Sequence, residues 1–233
     1  MISFKERHFP KDIILMAVRW YLAYSLSYRN IEELMLERGI KVDHGTINRW
    51  VIEYSPQLEA NFRKNYKSPV GSSWRMDETY IKVKGEWYYL YCAVDKAGKT
   101  IDFMLSEKRD KKAAIRFFSK AIGTHGLPNK ITIDKSGANK SALISLNAVL
   151  TVLSLMLGFI YTIVIRDIKY LNNIVEQDHR GIKRIVKPMM GFKVFHAGEA
   201  TLAGIELHRM LRKEQDKDAA HMIVFEQFYV LAA

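Results

Sequence analysis

Three acidic residues far apart in the sequence could act together as one catalytic group. Asp77 lies in a predicted first strand, Asp134 ends a predicted fourth strand, and Glu176 lies one turn into a predicted helix that begins at Asn172. Converging carboxylates repel one another and resist ionising together unless a divalent cation compensates them. Ligation by oxygen alone suits Mg²⁺, with Mn²⁺ as the alternative, and the single cysteine, Cys92, excludes a zinc site built from cysteines. The sequence therefore predicts a metal site at Asp77, Asp134 and Glu176.

A basic helix face begins at the third of these carboxylates. Counted from Glu176, four cations follow at helical spacing on one face: Arg180, Lys183, Arg184 and Lys187. Two metal ions about 4 Å apart can activate water or a 3′-hydroxyl for in-line attack on a phosphodiester, and a row of cations beside them would hold the phosphate backbone. A solvated amphipathic helix explains the same spacing. The rival carboxylates are Glu78, Asp95 and Asp178.

The order of the predicted elements accounts for how the acidic residues would meet. Three segments separated by glycine-containing turns are predicted as a strand meander: residues 76–84, 87–95 and 100–106. A helix over 111–122, a strand over 130–134, a helix from about Asn139, a strand and a last helix follow. This order is that of an α/β, RNase H-like domain with a mixed five-stranded sheet. The first and fourth strands are neighbours in such a sheet, so Asp77 and Asp134 would converge.

The N-terminal residues predict an all-α helix-turn-helix domain. The three predicted helices cover residues 11–23, 28–38 and 44–54, with Ser27 and Asp43 as N-caps of the second and third. In a helix-turn-helix the third of these would enter the major groove of DNA. The side chains that would then contact bases or phosphates are His44, Asn48 and Arg49. A plain three-helix bundle remains an alternative.

Charge and composition support a polyanionic partner. Lys and Arg number 36 against 25 Asp and Glu, which gives a net charge of +11. The predicted boundaries are a helix-turn-helix domain over 1–60, a linker over 61–73, a catalytic domain over 74–213 and a C-terminal tail over 214–233. The N-terminal residues lack the apolar segment of a secretory signal, and the lone cysteine suits a reducing compartment, so a cytoplasmic, nucleoid-associated location is expected.

Residues 142–165 form an apolar run without charges that is long enough to cross a bilayer. Polar residues interrupt the run, Gly158 divides it, and residues 159–165 are β-branched and aromatic like a buried strand. A buried helix followed by a core strand fits these features better than a membrane span, so no membrane partner is expected.

Three segments resemble the DDE transposases of bacterial insertion sequences, specifically the insertion-sequence-six family: WRMDETYIKVKGEWYYLYCAVD, KITIDKSGANK and KYLNNIVEQDHRGIKR. The resemblance implies that Asp77, Asp134 and Glu176 are the DDE triad and that Lys183 is its basic companion. It implies a Mg²⁺-dependent, oligomeric enzyme that binds terminal inverted repeats, frees 3′-hydroxyls and joins them to target DNA, moving replicatively through cointegrates.

One departure from the family pattern concerns the triad. The interval from Asp134 to Glu176 is longer than the family's commonest form by about two helical turns, and the excess falls within the apolar run. A longer helix would leave the triad convergent, which is the interpretation we favour, whereas a displaced strand would inactivate the enzyme. Two other functions remain open: a DNA-binding regulator without activity, and an RNase H-like nuclease that cuts without strand transfer.

Overall fold

The computed structural model describes residues 2–5, 7–158, 161–168, 172–219 and 221–232. The strands are β1 Ser73–Val83, β2 Glu86–Asp95, β3 Thr100–Ser106, β4 Lys130–Ile133 and β5 Val164–Asp167. The helices are α1 Lys11–Ala23, α2 Tyr28–Leu36, α3 His44–Asn65, α4 Lys111–His125, α5 Gly137–Leu157, α6 Asn173–Val186, α7 Phe195–Arg212 and α8 Val224–Val230. They form two compact units, a helical unit (Met1–Ser68, Val83–Gly85 and Gly181–Ala233) and a sheet unit (Pro69–Lys82 and Glu86–Arg180).

The sheet has five strands in the order β3-β2-β1-β4-β5. The pair β2 and β3 is antiparallel, whereas β4 runs parallel to both β1 and β5. Lys84 and Gly85, both with positive φ, form the two-residue turn from β1 to β2, the backbone that suits a tight hairpin. The predicted mixed five-stranded, RNase H-like sheet is thus confirmed, and so is the neighbouring position of the first and fourth strands.

The sheet unit has an apolar core between the sheet and helices α4 and α5. Alternate residues of β1 point to this core, including Trp74 and Met76, and they meet Phe117 and Phe118 of α4. Asp110 caps α4 by accepting a hydrogen bond from the backbone N–H of Ala113. The core fixes the direction of β1, and hence the faces that its later residues occupy.

The helical unit confirms both predicted N-caps. Ser27 accepts from the backbone N–H of Asn30, and Asp43 accepts from those of Gly45 and Thr46. Helix α3 does not end at Tyr54 as predicted but continues through Pro56 to Asn65, into the predicted linker. The reason is that its apolar period continues, so that a row of side chains stays buried: Tyr54, Leu58 and Phe62.

The C-terminal third of the chain differs from the predicted boundaries. Helix α7, assigned from sequence to the catalytic domain, lies in the helical unit, where a Cβ at Gly204 would approach Leu22 and Ser55 to within 2.7 Å. The glycine therefore permits close packing of α7 on α1 and α3. Helix α8, within the predicted tail, buries Phe228.

The apolar run forms helix α5, which is only partly buried. Ala142 and Leu143 lie in the sheet core, but side chains of the C-terminal half are exposed, so the prediction of a buried helix is wrong for that half. The exposed residues include Val149, Val152, Leu153, Leu155 and Met156. By length and composition, residues 137–156 could cross a membrane. The Asn147 side chain nevertheless bonds both the N–H and the C=O of Ile163, which folds the following segment back along the helix.

The strand that follows is shorter than predicted, and the prediction of a core strand is wrong, because the strand lies at the edge of the sheet with Val164 and Arg166 exposed. It covers Val164–Asp167, and residues 159 and 160 of the predicted strand lie outside the described residues. Its pairing with β4 is regular from Lys130 opposite Val164 to Ile133 opposite Asp167. The longer Asp134 to Glu176 interval therefore leaves β5 paired in the sheet.

Candidate active site

The pairing of β1 with β4 brings Asp77 and Asp134 together. Arg75 pairs with Thr132 in the parallel register, and the same register continued by two residues sets Asp77 beside Asp134. Carboxylate oxygens of Asp77, Glu78 and Asp134 lie within 4.8 Å of one another. We refer to these three residues as the acidic cluster. It contains two of the three predicted metal ligands, and its third member is one of the rival carboxylates.

The acidic cluster resists full ionisation. Burial raises the pKa of Asp77 to about 7, and the neighbouring carboxylate of Asp134 adds to this shift. Burial also raises the pKa of Glu78, whose side chain is 2% exposed, while the charge of Arg109 opposes the rise. Both shifts have the sign expected for crowded carboxylates in a poorly solvated place. Added positive charge at this position would reverse them.

Arg109 supplies positive charge from the loop before α4. Its Nη2 lies 3.3 Å from Oε2 of Glu78 and 3.3 Å from Oδ2 of Asp134. Burial lowers the pKa of Arg109, but the Glu78 and Asp134 carboxylates outweigh this, with a smaller contribution from Tyr80, and the net pKa is raised. Arg109 thus stays charged and bridges two members of the cluster.

The donor set of the acidic cluster fits a hard divalent cation. All of its ligand atoms are carboxylate oxygens, which Mg²⁺ and Mn²⁺ prefer. Oxygens bound to one ion at about 2.1 Å lie within about 4.2 Å of each other, so the observed separations need only small side-chain adjustments. Asp134, whose Oδ1 accepts from the backbone N–H of Ser136, also lines a cleft of about 550 Å³ with Arg109. A substrate could therefore reach the cluster.

Glu176 lies in the first turn of α6 and is half-buried. Among the described residues, the group of carboxylates with oxygens within 4.8 Å of one another contains Glu78 and not Glu176. The α6 side chain that reaches Asp77 is His179, one turn further along, with Nδ1 3.7 Å from Asp77 Oδ2. Asn172, directly before the helix, donates to the backbone C=O of Met76. The start of α6 is therefore held at β1, and the role of Glu176 as a metal ligand stays a prediction.

The predicted phosphate contacts are spread along α6 and the turn after it. All four cations are exposed, whereas Ile182, Ile185 and Val186 of the same segment are buried. The exposed residues are Arg180, Lys183, Arg184 and Lys187. This division of exposed cations and buried apolar residues suits a helix that presents one face to an anionic partner. Phosphate contact by these residues, and the catalytic role of Lys183, stay predictions.

The residues predicted to contact DNA through a helix-turn-helix lie at the start of α3. His44 Nδ1 is 3.0 Å from Glu32 Oε2, and Arg49 donates to the Thr46 hydroxyl. Asn48 is half-buried, while His44 and Arg49 are exposed. The helices are present, but the assignment of His44, Asn48 and Arg49 to DNA contact stays a prediction.

Sequence reasoning missed Arg109 and underestimated His179 and Glu78. Arg109 lies in a run of charged residues that looks like an ordinary solvated loop, and a histidine such as His179 on a helix predicts a structural or DNA-contacting role. Glu78 was noted only as a rival. Side chains alternate along a strand, so Glu78, directly after Asp77, lies on the opposite face, and no sequence signal reveals that its oxygen still reaches the cluster.

A sequence-family model described as a DDE domain, of the IS240 transposase type, matches residues 71–215. The transposase of the insertion sequence-like element IS431mec from Staphylococcus aureus is 40% identical over 214 residues, which cover 92% of this chain and 90% of that protein. The transposase of IS257 in transposon Tn4003, also from Staphylococcus aureus, matches with the same identity and coverage. The chain belongs to the insertion-sequence-six family of DDE transposases.

In this DDE transposase the acidic cluster, Glu176 and Lys183 all lie within the matched region. Family membership makes it an enzyme that acts on DNA, and the oxygen-rich cluster agrees with the use of a divalent cation. Among solved structures, it is similar to the HTLV-2 integrase catalytic core domain in complex with magnesium, dimeric form. That comparison gives 19% identity and a TM-score of 0.43 over 60% of this chain and 86% of the other.

Proposed function

We propose that this transposase binds the terminal inverted repeats of its own insertion sequence, cleaves at the repeat ends, and transfers the freed 3′ ends to target DNA with Mg²⁺ or Mn²⁺. The observation that carries the proposal is the parallel register of β1 and β4, which sets the carboxylates of Asp77 and Asp134 side by side. Asp77 and Asp134 would hold the cation together with Glu176, as the family pattern implies. When bound, the cation would polarise the scissile phosphate and favour deprotonation of the attacking hydroxyl.

The protein's own residues would position the DNA. Lys183 and Arg180 would contact phosphates near the reacting bond, and Arg184 and Lys187 would extend this contact along the backbone. Recognition of the repeat would fall to the helix-turn-helix of α2 and α3 through His44, Asn48 and Arg49. We further infer a homo-oligomer that pairs two ends, a replicative route through cointegrates, and a cytoplasmic, nucleoid-associated location without a membrane partner.

The test compares Asp134→Asn with the parent on a DNA duplex that carries the element's terminal repeat. We expect Asp134→Asn to lose strand joining and cleavage while its affinity for the repeat stays within about twofold, because the lost charge serves the cation and not the DNA. Asp167→Asn is the matched control, since Asp167 ends the neighbouring strand and its side chain is 31% exposed against 32% for Asp134. Equal joining by the parent and by Asp134→Asn would refute the proposal.

A second substrate separates strand transfer from simple cutting. Repeat ends supplied with free 3′-hydroxyls need no cleavage, so a transposase joins them to a target plasmid whereas a nuclease yields no joined product. Omission of the divalent cation should abolish joining in the parent. Joining that persists in a chelator would contradict the assignment of the acidic cluster to a cation.

A further inference from the structure

An aromatic surface continues the core face of the sheet beyond the acidic cluster. It consists of Tyr80 on β1 and Trp87 and Tyr89 on β2, and we call it the aromatic platform. The Tyr80 ring lies 6.2 Å from the Trp87 ring in an edge-to-face arrangement and 5.4 Å from the Tyr89 ring. Tyr80 is 50% exposed and Trp87 60% exposed.

The period of the strands explains where the aromatic platform lies. Trp74, Met76, Glu78 and Tyr80 alternate along one face of β1, of which the first two are buried under α4. On β2 the same face goes from buried Tyr91, whose ring lies 5.7 Å from that of Phe117, through half-buried Tyr89 to exposed Trp87. Apolar side chains of the core therefore continue as exposed rings past the part of the sheet that α4 covers.

Two rings of the aromatic platform, those of Tyr80 and Trp87, are exposed to solvent. Among the described residues, Trp87 is the most exposed aromatic side chain. Contiguous exposed apolar surface marks a binding site more often than an isolated exposed residue does. The rings also contact each other on a regular sheet, so they offer fixed faces and lose little conformational freedom when a flat ligand stacks on them.

The neighbouring charges select the kind of ligand. Tyr80 follows Glu78 of the acidic cluster by two residues, about 7 Å along the strand, which is close to the span of one nucleotide. Lys82 follows on the same face and is exposed, and Arg109 lies beside Glu78. Along the strand, Arg109 beside Glu78 and Lys82 therefore lie on either side of Tyr80, and two such cations would suit the phosphates on either side of a stacked base.

We propose that the aromatic platform stacks an unpaired nucleobase of the DNA strand held at the acidic cluster. The proposal rests on the proposed function, because it assigns the base next to the reacting phosphodiester. Stacking would draw the terminal base out of the duplex and fix the strand beside the carboxylates. Because every base has a π-face, this contact would tolerate any sequence.

The test measures binding of a fluorescein-labelled oligothymidylate and of an abasic oligonucleotide of the same length and charge, both in a chelator. We expect the parent to bind the oligothymidylate at least about fivefold more tightly, the gain from one base stacked on an aromatic ring. Trp87→Ala should remove this preference, Trp87→Leu should also remove it despite its apolar bulk, and Trp87→Phe should keep part of it. Tyr24→Ala, which removes an exposed aromatic ring of the helical unit, is the matched control and should keep it.

The outcomes that overturn the proposal are distinct from failure of the proposed function. Equal affinity of the parent for both oligonucleotides, or an unchanged preference in Trp87→Ala with a native thermal midpoint, would refute stacking. If Trp87→Ala keeps the preference but has a changed molecular mass in light scattering, the aromatic platform is a contact between protein chains. That result would also refute stacking. Because the binding assay contains no divalent cation, Asp134→Asn should keep the preference even though it loses strand joining.

Discussion

The guanidinium of Arg109 lies 3.3 Å from Oε2 of Glu78, a carboxylate whose side chain is 2% exposed. A buried carboxylate that loses its partner is left with an uncompensated charge or must take up a proton, and both outcomes destabilise the fold. The partial exposure of Arg109, 33%, lessens the effect by solvent screening. The same guanidinium also contacts Asp134, so it links the stability of the sheet unit to the geometry of the site.

Replacement of Arg109 should therefore lower stability. We expect Arg109→Ala to reduce the free energy of unfolding by about 1–3 kcal/mol, measured by urea denaturation near neutral pH. Arg109→Lys keeps the charge but loses the planar guanidinium fork. Its free energy of unfolding should therefore lie between those of Arg109→Ala and the parent. A loss for Arg109→Ala no larger than that for Arg116→Ala, which removes an exposed arginine of α4, would contradict the role given to the bridge.

The raised pKa of Asp77 predicts a pH dependence of a definite sign. Asp77 has a folded pKa of about 7, above its ordinary value of 3.8, so the folded state holds this proton more tightly than the unfolded state. Its contribution to stability is therefore highest in acid, falls as the pH rises from about 4 to about 7, and is constant above that. Asp77→Asn removes this titration.

The difference in unfolding free energy between Asp77→Asn and the parent should thus change by about 2 kcal/mol in favour of the variant as the pH rises from about 5 to about 8. Urea denaturation in a chelator measures this difference. The comparison cancels the groups that titrate in both proteins. Saturating Mg²⁺ should reduce the gain, because the cation favours the ionised carboxylate of the parent. A constant difference between the two proteins across this range would rule out a perturbed Asp77.

The fold was predictable from sequence where local patterns coincide with tertiary packing. The N-caps Ser27 and Asp43 and the meander follow from patterns within a few residues, and the neighbouring first and fourth strands follow from the order of the elements. The continuation of α3 through Pro56 could not be predicted in this way, because the burial of Leu58 and Phe62 outweighs the helix-breaking tendency of proline. Arg109 could not be identified because its partners lie on strands distant in sequence.

Helix α5 shows the limit of composition as evidence for burial. Its residues are apolar throughout, but Leu143 is fully buried and Leu153 is 48% exposed. Leu143→Ala should lower the free energy of unfolding by about 2–5 kcal/mol, whereas Leu153→Ala should change it by no more than about 0.5–1 kcal/mol. The two variants make the same chemical change in one helix, so urea denaturation compares burial alone. Equal losses would show that the C-terminal half of α5 is packed in solution, as the sequence had predicted.

The identity of the third metal ligand can be decided by a matched pair of substitutions. Glu78 belongs to the acidic cluster, whereas Glu176 is assigned by the family pattern and lies on the helix that brings His179 to Asp77. If Glu176 completes the site, Glu176→Gln should abolish the rise in thermal midpoint that Mg²⁺ gives the parent and lower strand joining by at least about 100-fold. Glu78→Gln should keep a measurable rise, and Glu107→Gln, which neutralises an exposed loop carboxylate, should match the parent. In the opposite result, Glu78→Gln would lose both the Mg²⁺ response and strand joining, and Glu176→Gln would keep both. That result would make Glu78 the third ligand, because neutralising a carboxylate weakens both Mg²⁺ binding and strand joining only if that carboxylate binds the cation directly.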